Sequence, residues 1–232
     1  MIGASAADSI EPGVINLYAP TDWFDLLVDG DDVQAAYDRC ADLIDQSYPH
    51  QDAAFRASLT EALMAWRETI MQQGIIMSGF LAVPDSEHGD AAWQVTAGVV
   101  ATPPIHRDVD LVEVVLRQFG GELGDKKEVY VELFETEIGL GVGIMSQPRF
   151  SPSGELVLFP PLAESSTGGA TATFNHVDSW TKLGLAAVLS CPPEGGKGLL
   201  VIGNCLDPEQ VLPLGAIVTL IGGKSHFVDS AV

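Results

Sequence analysis

The order of periodic segments in this sequence predicts an α+β domain, with a mostly antiparallel sheet on which three to four helices pack. Two stretches with apolar residues at every third and fourth position come first, and β-rich runs dominate the remainder. Helices and strands do not alternate one by one, as they do in the βαβ units of a parallel sheet. With 232 residues, 47% of them hydrophobic, the chain is long enough to bury one large core.

Two amphipathic helices are predicted after an extended entry segment, 14–28, which Pro20 interrupts. The first follows a cluster of aspartates that suits the positive end of a helix dipole, and the second is capped by Asp52 and closed by Gly74. Each has one apolar stripe predicted to be buried. In the first helix these residues are Val33, Ala36, Tyr37, Cys40, Leu43 and Ile44; in the second they are Phe55, Leu59, Ala62, Leu63, Trp66 and Ile70.

The rest of the chain is predicted to be mainly strands. Alternating or β-branched runs place them at 75–83, 92–102, 128–135, 138–144, 155–159, 170–178, 183–190 and 198–202. A short helix is predicted over 108–119, and another begins after Asp207, although Pro213 argues against its continuation. We predict a single α+β domain over 1–232. Its most linker-like stretch, 163–170, is too short to establish a boundary.

The charge of the chain limits its partners. Thirty-two Asp and Glu stand against eleven Lys and Arg, which gives a net charge of −21. Nucleic acids and anionic lipid surfaces bind through Lys and Arg, so both are excluded as expected partners. A protein with a basic surface is the natural counterpart, and self-association is the alternative. A third interpretation gives the acids no specific partner and attributes them to solubility or salt adaptation.

The cysteines and the apolar runs indicate a cytoplasmic protein. Three cysteines, an odd number without a C-x-x-C pair, argue against a disulfide framework. Residues 1–13 have neither the basic nor the apolar region of a signal peptide. The longest apolar run, 211–221, is about half the length that a bilayer requires.

No complete catalytic or cofactor-binding motif is present, so we predict no cofactor and no catalysis. The best-placed polar pairs are His176 with Asp178, which share a face of a predicted strand, and His106 with Asp108, which repeat that spacing. Together they would supply the mixed nitrogen and oxygen ligands of a metal-dependent hydrolase. The simpler interpretation, which we favour, is that four common polar residues occupy surface turns.

The run 138–144 reads I-G-L-G-V-G-I, with Gly139, Gly141 and Gly143 predicted to share one face. Glycine weakens a strand, so three on one face indicate a compensating role. In a structural interpretation, Tyr130 and Phe134 of the preceding strand lie across the gap. In a functional one, a ligand, a partner backbone or a second copy approaches closely there.

The opening segment INLYAPTDWFDL (15–26) and the hairpin VELFETEIGLGVGI (131–144) resemble a loose group of uncharacterised actinobacterial cytoplasmic proteins. Some of these are encoded near specialised secretion systems. The resemblance implies an α+β sandwich like that of Mog1 and PsbP, and a partner-binding role without catalysis. The sequence thus predicts a non-catalytic, acidic protein-interaction or accessory domain, with a metal-dependent hydrolase as the alternative.

Overall fold

The computed structural model describes residues 15–20, 23–83, 91–104, 112–113, 129–147, 149–150 and 181–228. Within these ranges a large antiparallel sheet carries helices on both faces, so the predicted α+β class is confirmed. The strands predicted at 155–159 and 170–178 and the linker-like stretch at 163–170 lie outside the described residues. Of the helix predicted over 108–119, only Val112 and Glu113 are described, and both are helical.

Three complete helices and eleven strands are described. The helices are α1 (Val33–Ser47), α2 (Ala53–Gln72) and α3 (Val211–Lys224), the last directly after a 3-10 turn at Pro208–Gln210. The strands are β1 (Ile15–Asn16), β2 (Phe24–Asp25), β3 (Ile75–Val83), β4 (Ala91–Thr102), β5 (Val129–Glu135), β6 (Leu140–Ser146), β7 (Arg149–Phe150), β8 (Thr181–Lys182), β9 (Gly184–Cys191), β10 (Gly196–Cys205) and β11 (His226–Phe227).

The main sheet contains seven of these described strands, in the order β2-β3-β4-β10-β9-β6-β5. Every neighbouring pair in it is antiparallel. Strands β1 with β11 and β7 with β8 form two separate short pairs. The β5–β6 hairpin is therefore at one end of the sheet, with β5 as the last described strand.

The first two helices begin directly after Asp32 and Asp52, as the sequence predicts. The Asp32 side chain accepts a hydrogen bond from the backbone N–H of Ala35 at 3.0 Å, and Asp52 accepts one from Phe55 at 2.8 Å. Each carboxylate satisfies an amide that has no partner inside its helix. At the end of α2, Gly74 has φ +71°, the left-handed conformation that commonly follows a helix.

The buried faces of these two helices agree only partly with the predicted stripes. In α1, Ala36, Cys40 and Ile44 are buried as predicted, whereas Val33 and Tyr37 are exposed. In α2 the fully buried residues are Thr60, Arg67 and Ile70, while Phe55 and Ala62 are exposed. Leu63, Trp66 and Ile70 of the predicted stripe pack in the core, so the prediction is confirmed for these residues and wrong for Phe55 and Ala62. Arg67, which the stripe did not include, is buried through hydrogen bonds that a polarity pattern does not reveal.

The structure also corrects the expected interruption at Pro213, because α3 continues through this residue to Lys224. Pro213 is the third residue of the helix. The first four amides of an α-helix have no partner inside the helix, so a proline there removes no helical hydrogen bond.

The helices lie on opposite faces of the sheet. Strand β3 contributes Met77 and Leu81 to the large core beneath α3, whereas Phe80 packs in the core beneath α1 and α2. Successive side chains of a strand point to opposite faces, so the two cores are separated by the sheet. In the described part of the chain, no helix is both long and apolar enough to cross a membrane.

Candidate interaction surface

The β5–β6 hairpin presents the outermost described edge of the sheet. Its strands pair from Val129 opposite Ser146 to Glu135 opposite Leu140. A tight turn joins them: the N–H of Thr136 donates to the carbonyl of Gly139 at 2.7 Å, and the reverse bond is 3.1 Å. Two residues, 137 and 138, therefore form the loop, which fixes the register of the hairpin.

The hydrogen-bonding pattern identifies which backbone groups of β5 face outward. Thr136 and Gly139 exchange both hydrogen bonds, and such pairs alternate with non-bonded pairs along an antiparallel ladder. The even-numbered residues 130–134 therefore bond to β6, and the odd-numbered residues 131–135 direct their N–H and C=O groups away from it. No strand in the described ranges pairs with this outer side.

The glycines of β6 are covered by an aromatic ring of β5. A Cβ built on Gly141 would lie 3.0 Å from Cε2 of Phe134 and 2.6 Å from Cγ2 of Thr136, and one on Gly143 would lie 3.1 Å from Cε1 of Phe134. The Phe134 ring thus occupies the space that two missing side chains leave. Gly139 lies in the turn, one residue before β6, with φ +149°.

The turn of the hairpin is attached to the end of α3. The N–H of Glu137 donates to the carbonyl of Gly223 at 2.9 Å. One residue earlier, the Ser190 hydroxyl of β9 donates to the carbonyl of Gly222 at 2.9 Å. A Cβ on Gly222 would lie only 2.5 Å from Cγ1 of Val188, so this glycine permits the close approach of α3 to the sheet. The helix holds β5 in position from one side.

The side chains of β5 combine exposed apolar groups with negative charge. Tyr130 is 53% exposed on the α3 side of the sheet, and Leu133 is 49% exposed on the other. Glu132, Glu135 and Glu137 are exposed along the same hairpin, and residues 129–147 contain no Lys or Arg. The Tyr130 hydroxyl donates to Glu132 at 3.2 Å, and this acceptor raises the pKa of the phenol. An acidic, partly apolar edge results.

A shallow groove separates β5 from α3, with a cavity volume of about 20 Å³. Its walls include Tyr130, Glu132 and Phe134 on the strand side and Gly215, Val218 and Thr219 on the helix side. A volume of this size holds about one water molecule. The groove is too small for an organic substrate.

Three arginines of the helical layer are already engaged by oxygen atoms. Arg39 forms an ion pair with Asp29 at 2.8 Å, and Arg56 forms one with Asp45 at 2.8 Å. Arg67 is only 4% exposed. Two of the three arginines are thus paired with carboxylates and the third is buried, so they do little to offset the acidic surface of this layer.

Arg67 and Arg39 belong to a polar cluster that fixes the turn between β2 and α1. Arg67 donates to the carbonyl of Leu26 at 3.1 Å and also to that of Gly30. Arg39 donates to the carbonyl of Asp25, and its guanidinium lies 4.7 Å from the centre of the Phe24 ring. These hydrogen bonds tie backbone carbonyls of the turn to side chains of α1 and α2, so the cluster stabilises the fold.

The Asp25 carboxylate of this cluster is partly buried. It accepts hydrogen bonds from the amides of Leu27 at 2.9 Å and Ser78 at 3.4 Å. Burial nevertheless raises the pKa of Asp25 above its ordinary value of 3.8, against the lowering effect of those amides and of Arg39. All the groups around this carboxylate connect elements of the same fold, which indicates a structural role.

All three cysteines are buried and reduced. Burial raises the pKa of Cys191 and of Cys205 to about 11, and it also raises that of Cys40. A thiol in this state carries little of the reactive thiolate at neutral pH. These cysteines therefore pack as small apolar residues, and none has the properties of a nucleophile.

The four residues of the predicted metal site, His106, Asp108, His176 and Asp178, lie outside the described residues. The hydrolase alternative therefore stays a prediction. Elsewhere, across the ranges that the structure describes, no group of three or more His, Cys, Asp or Glu side chains is placed to hold a metal ion.

Sequence reasoning identified the hairpin but missed two features that define its surroundings. It gave no indication that α3 supports the turn, although Gly222 and Gly223 inside an apolar helix are a signal of close packing. It also missed the cluster around Arg67, whose position on the apolar side of α2 is visible only once the helix is placed.

Comparisons with known protein families, with curated proteins and with solved structures found no match to this chain. The resemblance to Mog1-like and PsbP-like folds therefore stays a prediction.

Proposed function

We propose that this chain is a non-catalytic protein-interaction domain that binds a basic, extended segment of a partner protein along the outer edge of β5. The proposal rests on the backbone of Val131, Leu133 and Glu135. Together these three residues direct three N–H and three C=O groups away from β6. Addition of a strand to an exposed sheet edge is a common mode of peptide recognition.

The charge of the hairpin supports a basic partner. Glu132 and Glu135 project from β5 itself, and Glu137 follows in the turn, with no positive residue in 129–147. Residues two apart on a strand share a face, so Glu132 and Glu135 project from opposite faces of β5. Lysines or arginines at alternate positions of an added strand would lie on one face, beside Glu132. The overall charge of −21 would also accelerate the encounter with a basic chain, in a manner that salt screens.

The exposed apolar side chains support contact with the added strand on both faces. Tyr130 and Leu133 lie on opposite faces of β5, and each is about half exposed. A partner strand that alternates basic and β-branched residues would cover Leu133 on one face and meet Glu132 on the other. Three buried, reduced cysteines suit the reducing environment of the cytoplasm, where we propose that the domain acts.

The test is a titration with a defined peptide. The probe is a blocked seven-residue peptide of alternating lysine and valine, and its counterpart of alternating glutamate and valine is the control. At low ionic strength we expect the basic peptide to bind with a Kd on the order of 0.1–1 mM, as measured by NMR chemical-shift changes. Raising the salt concentration should weaken this binding, and the acidic peptide should not bind.

A matched pair of variants distinguishes strand addition from general charge attraction. The Leu133 amide faces outward, so Leu133→Pro removes a donor at the edge without breaking a bond to β6. Leu133→Thr removes the apolar side chain but keeps that amide. We expect the proline variant to bind at least about tenfold more weakly than the threonine variant, since it loses a ladder hydrogen bond. Equal affinities in two folded variants would refute strand addition.

A further inference from the structure

The solvent-facing side of α3 is unusual in this chain because it carries almost no charge. Only Lys224 is charged among the fourteen residues of the helix, although 43 residues of the chain are charged. Its exposed residues recur at intervals of three and four: Leu212, Pro213, Ala216, Thr219, Leu220 and Lys224. Leu212 is 67% exposed and Leu220 is 38% exposed. This stripe, which we term the outer face of α3, has the pattern of a helix-packing surface.

We propose that the outer face of α3 is a self-association surface, on which α3 of a second copy packs antiparallel around Ala216. Two copies of a chain with charge −21 repel each other over most of their surfaces. An uncharged stripe is where two identical copies can approach without placing carboxylates against carboxylates. Ala216, exposed at the middle of the stripe, leaves room for the two helices to cross closely.

The residues at the two ends of the helix favour the antiparallel direction. Lys224 lies eight residues after Ala216, and Glu209 lies seven residues before it, in the 3-10 turn that leads into α3. Both are exposed. When two antiparallel helices cross at Ala216, Glu209 of one copy lies beside Lys224 of the other. Their positions along the helix axis differ by about 1.5 Å, the rise of one residue. A two-fold axis produces this contact twice.

The size of the surface indicates the strength of the dimer. A helix of fourteen residues is about 21 Å long, and its outer face presents fewer residues than the 20–30 that each side of a standard interface contributes. We therefore expect a weak dimer, with a Kd on the order of 10–100 μM. This proposal concerns a different face from the β5 edge and does not rest on the proposed binding of a basic strand.

The experiment is sedimentation equilibrium of the whole chain at several protein and NaCl concentrations. We expect a monomer–dimer equilibrium that strengthens as salt screens the repulsion between copies. Ala216→Glu should weaken dimerisation at least tenfold, because it places two carboxylates against each other at the crossing. Ala57→Glu, an alanine-to-glutamate change at another exposed helical position, in α2, has the same net charge and should leave the equilibrium unchanged.

Charge reversal tests the antiparallel direction. Glu209→Lys and Lys224→Glu should each weaken the dimer by roughly threefold to tenfold, since each creates two like-charge contacts. The double variant restores both pairs and should return to within about threefold of the original Kd. If the double variant is as weak as the singles, the antiparallel arrangement is wrong.

Two further outcomes would overturn the proposal. One is a monomer at all concentrations and salt levels tested. The other is a dimer that Ala216→Glu and Leu212→Glu leave intact while both variants remain folded by circular dichroism. If that dimer were instead lost in Leu133→Pro, self-association would occur through β5.

Discussion

Adjacent glycines near the end of α3 allow a matched test of how closely this helix packs on the sheet. A Cβ added at Gly222 would lie 2.5 Å from Cγ1 and 3.1 Å from Cβ of Val188, a branched side chain in β9. At Gly223 the nearest atom would be Cε2 of Phe134, at 3.9 Å, an ordinary contact. Gly222→Ala and Gly223→Ala therefore add the same methyl group to two very different environments.

The magnitudes follow from two opposing effects. Alanine in a helix is more stable than glycine by about 1 kcal/mol, a gain that shrinks near a helix end but is similar at both positions. Overpacking of a filled core costs about 1–3 kcal/mol, and it applies only at Gly222. We expect Gly223→Ala to be neutral or up to about 1 kcal/mol more stable than the original chain. Gly222→Ala should be about 1–3 kcal/mol less stable than Gly223→Ala.

The assay is urea unfolding followed by tryptophan fluorescence and circular dichroism. A third variant, Val188→Ala, removes both γ-methyl groups of Val188, including Cγ1, which a Cβ at residue 222 would meet. Combining it with Gly222→Ala should abolish most of the penalty, which a double-mutant cycle measures as a coupling energy. Equal unfolding free energies for Gly222→Ala and Gly223→Ala would refute the close packing of α3 on β9.

Three other predictions follow from the described contacts. Gly141→Val should destabilise the domain by about 1–3 kcal/mol in urea unfolding, because an aromatic ring fills that space, whereas Gly98→Val, with no neighbour closer than 4.0 Å, should not. Cys191 and Cys205 should react with a thiol reagent at pH 8 only after denaturation, and rapid native labelling would contradict their burial. Burial raises the Asp25 pKa, so the folded state binds its proton more tightly. The original chain should therefore lose stability relative to Asp25→Asn as the pH rises above 3.8; parallel pH profiles would contradict this.

The local signals in the sequence predicted the elements well where short-range chemistry decides them. Asp32 and Asp52 define helix starts because a carboxylate can bond the amides of the first turn without help from the rest of the fold. The strand over 75–83 is present with the predicted bounds, since its run of β-forming residues suits a sheet. These features depend on a few neighbouring residues.

Features that depend on tertiary placement could not be predicted in the same way. The burial of Arg67 in α2 depends on two hydrogen bonds from its guanidinium to backbone carbonyls more than thirty residues away in the chain. A polarity pattern assigns such a residue to the solvent side. The continuation of α3 through Pro213 depends on where the helix begins, because a proline in the first turn removes no bond.

The candidate surface was predictable in its residues but not in its position. The sequence singled out the hairpin through its glycines and its alternating strand. Strand order, however, is set by long-range pairing: β10 lies between β4 and β9, and β6 pairs with β9. Only this arrangement makes β5 the last described strand of the sheet, with its odd-numbered amides directed away from β6.

Hydrogen exchange along β5 tests the central claim, an open edge that accepts a basic strand, most directly. In the free protein, the amides of Tyr130, Glu132 and Phe134 should exchange slowly because they bond to β6. The amides of Val131, Leu133 and Glu135, which face outward, should exchange fast. Saturation with the lysine–valine peptide should protect the odd-numbered amides and leave the others unchanged. Slow exchange of both sets in the free protein would contradict the account, because the edge would then already be covered.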